Sequence, residues 1–360
     1  MIISRTPYRI SFFGGGTDYP GWYKLHGGQV LSASIDKYCY ITLRYLPPFF
    51  EHKTRIVYSK IESVSSIDEI QHPAVREVLR YMNFDHGLEI HHDGDLPARS
   101  GMGSSSTFIV GLLNALYALK GSMRSKRQLA EESIYIEQEL LGETVGSQDQ
   151  TAAAFGGLNH ILFHQSGDIE IRPVTLHRDR RQELSDHLML FYTGIMRTAS
   201  DVAKSYVKDI ASKETLLRNM SSMVSDGVEI LQSSRCICDF GELLDAAWQA
   251  KCCLSDKVSN GVVDKIIQRA KEYGAIGGKI AGAGGGGFLL LFVPPSAQSR
   301  VRNALGELLH VPFHINSCGS QIIFYDPSVD DFRHIEDERS HRNIQCLREL
   351  SSMKFRGETS

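Results

Sequence analysis

A run of small and hydroxyl-bearing residues at positions 97–107, Pro-Ala-Arg-Ser-Gly-Met-Gly-Ser-Ser-Ser-Thr, constrains this chain more than any other stretch. A polar, extended segment leads into it. Apolar residues at helical spacing follow at once, at Phe108, Ile109, Leu112, Leu113, Leu116 and Leu119. The run therefore lies where a loop turns into the N-terminus of a buried helix.

A junction of this kind suits a phosphate group. Backbone N–H groups at a helix N-terminus have no intrahelical partners, and the helix dipole favours negative charge there. Glycines let a ligand approach the backbone closely, and serine hydroxyls add hydrogen-bond donors. The pattern predicts a phosphate cradle formed by Gly101, Gly103, Ser104, Ser105 and Ser106. The alternative is an ordinary serine-capped helix behind a flexible loop.

Charge and hydropathy argue against several classes of partner. A net charge of −3 gives no electrostatic case for binding nucleic acid or an anionic membrane, so local cations must meet any anionic substrate. The longest apolar run, residues 288–293, is far too short to span a bilayer. The 7 cysteines include no C-x-x-C pair and suggest neither a disulfide framework nor a zinc site. We therefore expect a cytoplasmic protein.

A length of 360 residues suggests two domains, which we place at residues 1–183 and 184–360. In the first, a strand over residues 1–13 stops at a glycine-rich turn, residues 14–18. Two further strands are predicted over residues 29–34 and 38–45, with Asp36-Lys37 as the turn between them. The second half opens with a strand at residues 188–192, continues through helices, and has candidate strands at residues 288–293, 311–315 and 321–325. The residues after about 330 are charged and weakly periodic.

Two acidic residues follow the cradle helix. Glu137 lies late in the next predicted helix, and Asp149 lies in a predicted turn over residues 146–150. Mg²⁺ that bridges nucleotide phosphates needs one or two protein oxygen ligands, which Glu137 and a cradle hydroxyl could supply. Asp149 could accept a proton from an attacking hydroxyl, and Arg9 could stabilise transferred charge. The alternative is that Glu137 is a surface helix residue and Asp149 an ordinary turn residue.

A second glycine-rich segment has the spacing of two known motifs, but the residues that follow each match do not fit the motif. The spacing of Gly282, Gly284 and Gly287 fits a dinucleotide fingerprint, which requires a helix after it, but an apolar strand follows here. Gly278-Lys279 is similar to a P-loop, but Ile280 stands where Ser or Thr must bind Mg²⁺. We interpret the segment as a strand–turn–strand that packs close to a ligand or to the cradle.

Three separated motifs together resemble the GHMP kinase superfamily. Residues 97–106 match its P-x-x-x-G-L-G-S-S-A phosphate loop, with Met102 for Leu and Ser106 for Ala. Residues 9–18 match its first motif in the sugar-kinase form, and residues 279–288 match its third. The resemblance implies a two-domain α+β fold with the active site in the cleft between the domains and a ferredoxin-like C-terminal half.

The resemblance also implies roles for single residues. The five cradle residues would bind the triphosphate of ATP, and Ser105 and Glu137 would hold Mg²⁺. Asp149 would be the catalytic base, assisted by Arg9. The sugar hydroxyls would contact Thr17, Asp18 and Gly146. A phosphate on the substrate needs a cation, for which Arg197, Lys251 and Arg99 are the candidates.

The first motif narrows the substrate that the resemblance implies. Galactokinases carry G-E-H-T-D-Y, whereas this chain has Gly-Gly-Gly-Thr-Asp-Tyr at residues 14–19, so Gly15 and Gly16 replace the sugar-contacting Glu and His. The closer resemblance is to the sugar kinases that act on heptose 7-phosphate. The implied partner is a small sugar phosphate, and a homodimer is one arrangement that the sequence leaves open. Alternatives are a kinase for a galactose- or fucose-like sugar and a non-catalytic sugar and nucleotide sensor.

Overall fold

The computed structural model describes residues 1–50, 52–195, 199–207, 210–326 and 332–341. Its strands are β1 (Ile2–Phe13), β2 (Gly28–Tyr45), β3 (Thr54–Val57), β4 (Ile61–Val64), β5 (Leu88–Gly94), β6 (Leu158–Phe163), β7 (Ile169–Pro173), β8 (Leu188–Tyr192), β9 (Gly277–Ile280), β10 (Phe288–Phe292), β11 (Leu309–His310) and β12 (Gln321–Tyr325). Its helices are α1 (Pro20–His26), α2 (Pro73–Tyr81), α3 (Ser104–Leu119), α4 (Lys126–Tyr135), α5 (Gln148–Phe155), α6 (Arg178–Asp186), α7 (Ala199–Val207), α8 (Glu214–Gln232), α9 (Cys238–Cys252), α10 (Gly261–Glu272), α11 (Gln298–Ala304) and α12 (Arg333–His341).

The first sheet is built around β2. Its main strand order is β12-β1-β2-β5-β3-β4, and β6 and β7 extend it beside the first part of β2. All pairs are antiparallel except β3 with β5. The apolar helix α3 packs on β1 and β2, which buries the residues predicted from helical periodicity except Leu119, which is half-buried. This packing fixes where the N-terminus of α3 lies relative to the end of β1.

The predicted turn at Asp36-Lys37 is wrong, because β2 is one continuous strand. The strand has two different neighbours on one side, β6 along its first part and β5 along its second. The register with β1 shifts between Pro7 and Arg9, opposite the turn-like residues. Asp36 is held there by the segment around His314, whose N–H donates to the Asp36 carboxylate at 2.8 Å. Turn-forming residues here mark a shift in register, and the chain does not reverse.

The second sheet confirms the ferredoxin-like C-terminal half. Its strand order is β11-β8-β10-β9, with every neighbouring pair antiparallel. Helices separate β8 from β9 and β10 from β11, as in the split β-α-β arrangement. The predicted strand at residues 311–315 is wrong, because β11 ends at His310. The following segment leaves this sheet and bridges to the first one, where Ile315 pairs with Ile35.

The chain then returns to the first sheet. β12 pairs antiparallel with β1. In α12, the Glu336 carboxylate accepts a hydrogen bond from the Gly87 N–H at 3.1 Å and lies 3.1 Å from the Lys53 ammonium. The charged C-terminal segment is thus helical over residues 333–341 and packs on the first sheet. The division after residue 183 remains a prediction.

Two glycines allow α9 to lie directly on β9. A Cβ atom at Gly277 would lie 2.1 Å from the Gly241 carbonyl oxygen and 3.0 Å from the Asp245 backbone nitrogen. The backbones of the helix and the strand therefore meet without side chains between them. This contact sets the height of α9 above the sheet, and with it the position of Lys251 in the last turn of α9.

We expect Gly277→Ala to lower the free energy of unfolding by about 1–3 kcal/mol, the usual cost of an added methyl group in a tightly packed site. Urea unfolding followed by circular dichroism measures the change. Gly21→Ala is the matched control, because nothing lies within 4 Å of a Cβ atom at Gly21. Equal stability of the two variants would contradict the close contact between α9 and β9.

Candidate active site

The glycine- and serine-rich run forms a loop that leads into α3, as predicted. Gly103 is the N-cap residue at φ +78°, and Gly101 has φ +82°, so both adopt the left-handed backbone that favours glycine. Met102 is fully buried between them and anchors the loop, and its carbonyl accepts a hydrogen bond from the Arg9 N–H at 3.3 Å. Ser104 is half-buried and Ser105 is exposed. Gly101, Gly103, Ser104 and Ser105 keep exposed surface, so this side of the loop and of the first turn of α3 is accessible.

The second glycine-rich segment supports this loop. It runs from β9 to β10, which confirms the predicted strand–turn–strand. A Cβ atom at Gly282 would lie 2.5 Å from the Gly101 carbonyl oxygen, and one at Gly287 would lie 2.2 Å from the Ser100 carbonyl oxygen. The Phe288 N–H donates to the same Ser100 carbonyl at 3.3 Å. The turn of the second half thus packs backbone to backbone on the phosphate loop of the first, because both are free of side chains at the contact.

Glu137 lies directly behind the serines. It belongs to a short π-helical segment (Ile136–Leu140) that continues α4, and it is fully buried. Its carboxylate accepts hydrogen bonds from the Ser105 and Ser106 hydroxyls, both at 2.6 Å, and from the Gln150 amide. Burial raises the pKa of Glu137 to about 7. The interpretation of Glu137 as a surface residue is therefore wrong.

The oxygen atoms around Glu137 fit a magnesium ion. A carboxylate and two hydroxyls form a hard, oxygen-rich set at the edge of the loop, and Mg²⁺ prefers such ligands and uses few of them from the protein. The side-chain oxygen of Gln150 is buried beside them and has no hydrogen-bond partner in the described part of the chain. A ligand or ordered water at this point would satisfy it.

Arg9 and Asp149 form a bidentate ion pair. The Arg9 Nε and Nη2 atoms each donate to one oxygen of the Asp149 carboxylate at 2.7 Å. The remaining Arg9 nitrogen, Nη1, donates to the Gly101 carbonyl at 2.8 Å. The prediction that Asp149 lies in a turn is wrong, because the small residues after it continue a helix and Asp149 lies in the first turn of α5. The Asp149 side chain is 25% exposed and Arg9 is buried, so the carboxylate is the accessible partner.

Asp18 lies beside this pair at the end of the glycine-rich turn after β1. Its carboxylate accepts hydrogen bonds from the Gly16 N–H at 2.9 Å and from the Gln148 amide at 3.0 Å. Burial raises the pKa of Asp18, and the negative charge of Asp149 acts in the same direction. Gly146 lies against this carboxylate, where any side chain would overlap it. The structure thus brings together Asp18, Gly146 and Asp149, to which the resemblance assigns roles at the acceptor.

Thr17 lies in the same turn, next to Asp18. It is fully buried, and its hydroxyl lies 2.9 Å from both the Gly14 and the Gln29 carbonyl oxygens, which share its single proton, and accepts from the Gln29 N–H at 3.1 Å. These bonds use its hydrogen-bonding capacity. Thr17 therefore holds the turn that presents Asp18, and its direct contact with a sugar stays a prediction.

One further cation enters the site from the second half. Lys251 is buried, its ammonium donates to the Gly282 carbonyl, and its charged neighbours are Asp18, Arg9 and Asp149. Burial lowers the pKa of Lys251 to about 8. The sequence offered Lys251 as one of three candidate cations, but no local signal separated it from the others. Arg197, the first of the three, lies outside the described residues.

Two family models match this chain. The family model for the N-terminal domain of GHMP kinases matches residues 69–157, and the model for the C-terminal domain matches residues 233–311. The chain is 30% identical over 316 residues to D-glycero-alpha-D-manno-heptose 7-phosphate kinase of Campylobacter jejuni, covering 84% of this chain and 93% of that protein. It is 27% identical over 348 residues to L-fucokinase/L-fucose-1-P guanylyltransferase of Bacteroides fragilis, which covers 85% of this chain but 36% of that longer protein.

A solved structure has the same fold. The crystal structure of a D-glycero-D-manno-heptose 1-phosphate kinase from Bacteroides thetaiotaomicron superposes with a TM-score of 0.73 at 23% identity, covering 91% of this chain and all of that one. The two proteins therefore share their fold. The chain belongs to the GHMP kinase family and is an ATP-dependent sugar kinase.

Proposed function

We propose that this enzyme phosphorylates the anomeric hydroxyl of D-glycero-D-manno-heptose 7-phosphate to give the 1,7-bisphosphate, an intermediate on the way to nucleotide-activated heptose for surface glycans. The observation that carries the proposal is the 30% identity with a heptose 7-phosphate kinase along 93% of that relative. The glycines at positions 15 and 16 support it, because they remove the side chains with which galactokinases contact galactose. Cytoplasmic location and a homodimer remain predictions.

Different residues of the chain have different roles in phosphoryl transfer. The triphosphate of ATP binds against the loop and the start of α3, at Gly101, Gly103, Ser104, Ser105 and Ser106. Ser105 and Glu137 would hold Mg²⁺, which when bound neutralises charge on the phosphate oxygens. Since positioning and electrostatics dominate this chemistry, the fixed relation between the loop and the Arg9–Asp149 pair is the main contribution of the protein.

The acceptor hydroxyl binds at the exposed side of Asp149. Its oxygen forms a bond to the γ-phosphorus while the bond to the β,γ-bridging oxygen breaks, ADP leaves, and the hydroxyl proton passes to Asp149. Both Asp149 oxygens accept from Arg9, but each retains a lone pair for the substrate. Arg9 also lies against Gly101, so its charge is close to the transferring phosphoryl group. Asp18 and Gly146 line the side of the pocket at which the sugar binds.

Two other functions are tested by the same assay. The similarity to an L-fucokinase supports a fucose-like substrate as the second candidate. A non-catalytic sensor would need the loop but not the Arg9–Asp149 pair, which is complete here.

No helix in the described part of the chain has both the length and the apolar character that a bilayer span requires.

A coupled assay of ADP release with a panel of sugars tests the proposal. We expect turnover with D-glycero-D-manno-heptose 7-phosphate and far less with galactose or L-fucose. NMR of the product locates the new phosphate on the anomeric carbon. Turnover of galactose or L-fucose but not of any heptose phosphate would overturn the proposed substrate, and absence of turnover with every sugar would favour the sensor.

A further inference from the structure

The space that Gly15 leaves open is surrounded by polar atoms from three separate elements. A Cβ atom built on Gly15 would lie 3.6 Å from the Gln148 side-chain nitrogen, 3.7 Å from the Ser11 hydroxyl and 3.8 Å from the Lys251 ammonium. Ser11 belongs to β1, Gln148 to α5 and Lys251 to α9. Polar groups rarely converge on a buried point without something to bind.

These groups have hydrogen-bonding capacity to spare. The Ser11 hydroxyl and the side-chain oxygen of Gln148 are buried and have no partner within the described ranges. The Lys251 ammonium has three N–H donors, of which the described residues use one, at Gly282. Ser11 is 5% exposed, Gln148 9% and Lys251 4%, so bulk water does not satisfy them. Leaving such groups unpaired is costly unless a ligand completes them.

The hydrogen-bond donors and acceptors around this space determine which chemical group can bind there. The Gln148 nitrogen donates to the acceptor-only carboxylate of Asp18, so its oxygen is left as an acceptor. A phosphate dianion offers acceptors alone, would leave the Gln148 oxygen unpaired, and would meet the charges of Asp18 and Asp149 unfavourably. A sugar hydroxyl both donates and accepts, so it can pair with Lys251, Ser11 and Gln148 together.

We propose that Lys251, Ser11 and Gln148 form a subsite that binds neutral hydroxyl groups of the sugar substrate in the space above Gly15, with Lys251 as a specificity-determining residue contributed by the second half of the chain. The inference rests on the proposed function, because it requires a sugar in this cleft. It removes Lys251 from the candidates for binding the substrate phosphate.

Two variants of different kinds test the subsite. Lys251→Met keeps the length of the side chain but removes its donors, and we expect the KM for the sugar to rise about tenfold to a hundredfold, as for a lost hydrogen bond to a charged group. Gly15→Ala places a methyl group in the space at ordinary contact distances and at a backbone angle that alanine tolerates. We expect a comparable rise in sugar KM. The exposed Lys257→Met is the control and should match the wild type.

The KM for ATP separates this role from a structural one. Lys251 holds the Gly282 carbonyl, and Gly282 supports the phosphate loop, so a merely structural lysine would raise the KM for ATP as much as that for the sugar. We expect the KM for ATP to stay within about twofold of the wild type. Parallel rises in both KM values for Lys251→Met, or an unchanged sugar KM for Gly15→Ala, would overturn the proposal.

The same variants distinguish hydroxyl from phosphate recognition. D-glycero-D-manno-heptose without the phosphate is measured as a substrate or as a competitive inhibitor. We expect Lys251→Met to weaken it by the same factor as the 7-phosphate, and an effect confined to the 7-phosphate would overturn the subsite. If the wild type acts on galactose or L-fucose instead, the proposed substrate fails, but the subsite is then tested with that sugar and the same variants.

Discussion

Asp149→Asn is expected to lower kcat at least about a hundredfold while the Kd for ATP stays unchanged, in line with the usual contribution of a general base. The amide cannot take the proton of the acceptor hydroxyl. It also replaces one of the two bonds that Arg9 makes to the carboxylate by an unfavourable contact between donors. The ATP site keeps its shape, because the amide has the size of the carboxylate that lies beside Gly103, and Arg9 still donates to Gly101. Single-turnover kinetics and calorimetric titration of ATP measure the two quantities.

The exposed Asp256→Asn is the matched control, since it makes the same chemical change away from the cleft, and it should behave as the wild type. A near-normal kcat for Asp149→Asn would refute the base assignment and leave catalysis to positioning by Arg9 and the phosphate loop. A parallel loss of ATP affinity would instead indicate that the Arg9–Asp149 pair holds the loop in shape.

Features encoded by short stretches of sequence were predictable. The glycines and serines before an apolar helical pattern located the start of α3. The glycine-rich segment before β10 was recognisable as a turn because a strand, and not a helix, follows it. In each case the residues that determine the structure are neighbours in the chain, so local rules apply.

Features that depend on distant contacts were not predictable in this way. The residues next to Asp36 in the sequence do not indicate that β2 continues through this position. The hydrogen-bond partner of Asp36 is His314, which is distant in the sequence. Asp149 was placed in a turn because glycine and serine precede it, but packing of α5 against α3 and α4 favours the helix. The role of Thr17 depends on Gln29, and the position of Lys251 depends on the contact of Gly241 with Gly277. Long-range packing therefore determines the positions of Thr17, Asp149 and Lys251 more than that of the glycine- and serine-rich loop.

Glu137→Gln is expected to lower kcat about a hundredfold and to raise the Mg²⁺ concentration for half-maximal activity at least about tenfold, because an amide is a poor ligand for a hard cation and carries no charge. The variant keeps the shape of the side chain. With the amide nitrogen at the position of Oε1, the Ser105 hydroxyl can rotate to accept from it, and the remaining oxygen still accepts from Ser106 and Gln150. Titration of Mn²⁺ followed by electron paramagnetic resonance, with ADP present, gives a readout of metal affinity that does not depend on turnover.

Glu139→Gln makes the same change at an exposed position two residues away and should leave both quantities as in the wild type. Glu137 has a second role that must be separated from metal binding, because its carboxylate orients the two serines at the start of α3. If orientation were its whole contribution, Glu137→Gln would weaken ATP binding in the absence of metal and leave the Mn²⁺ affinity unchanged. A selective loss of Mn²⁺ affinity, with metal-free ATP binding preserved, is the result that a metal-binding carboxylate requires.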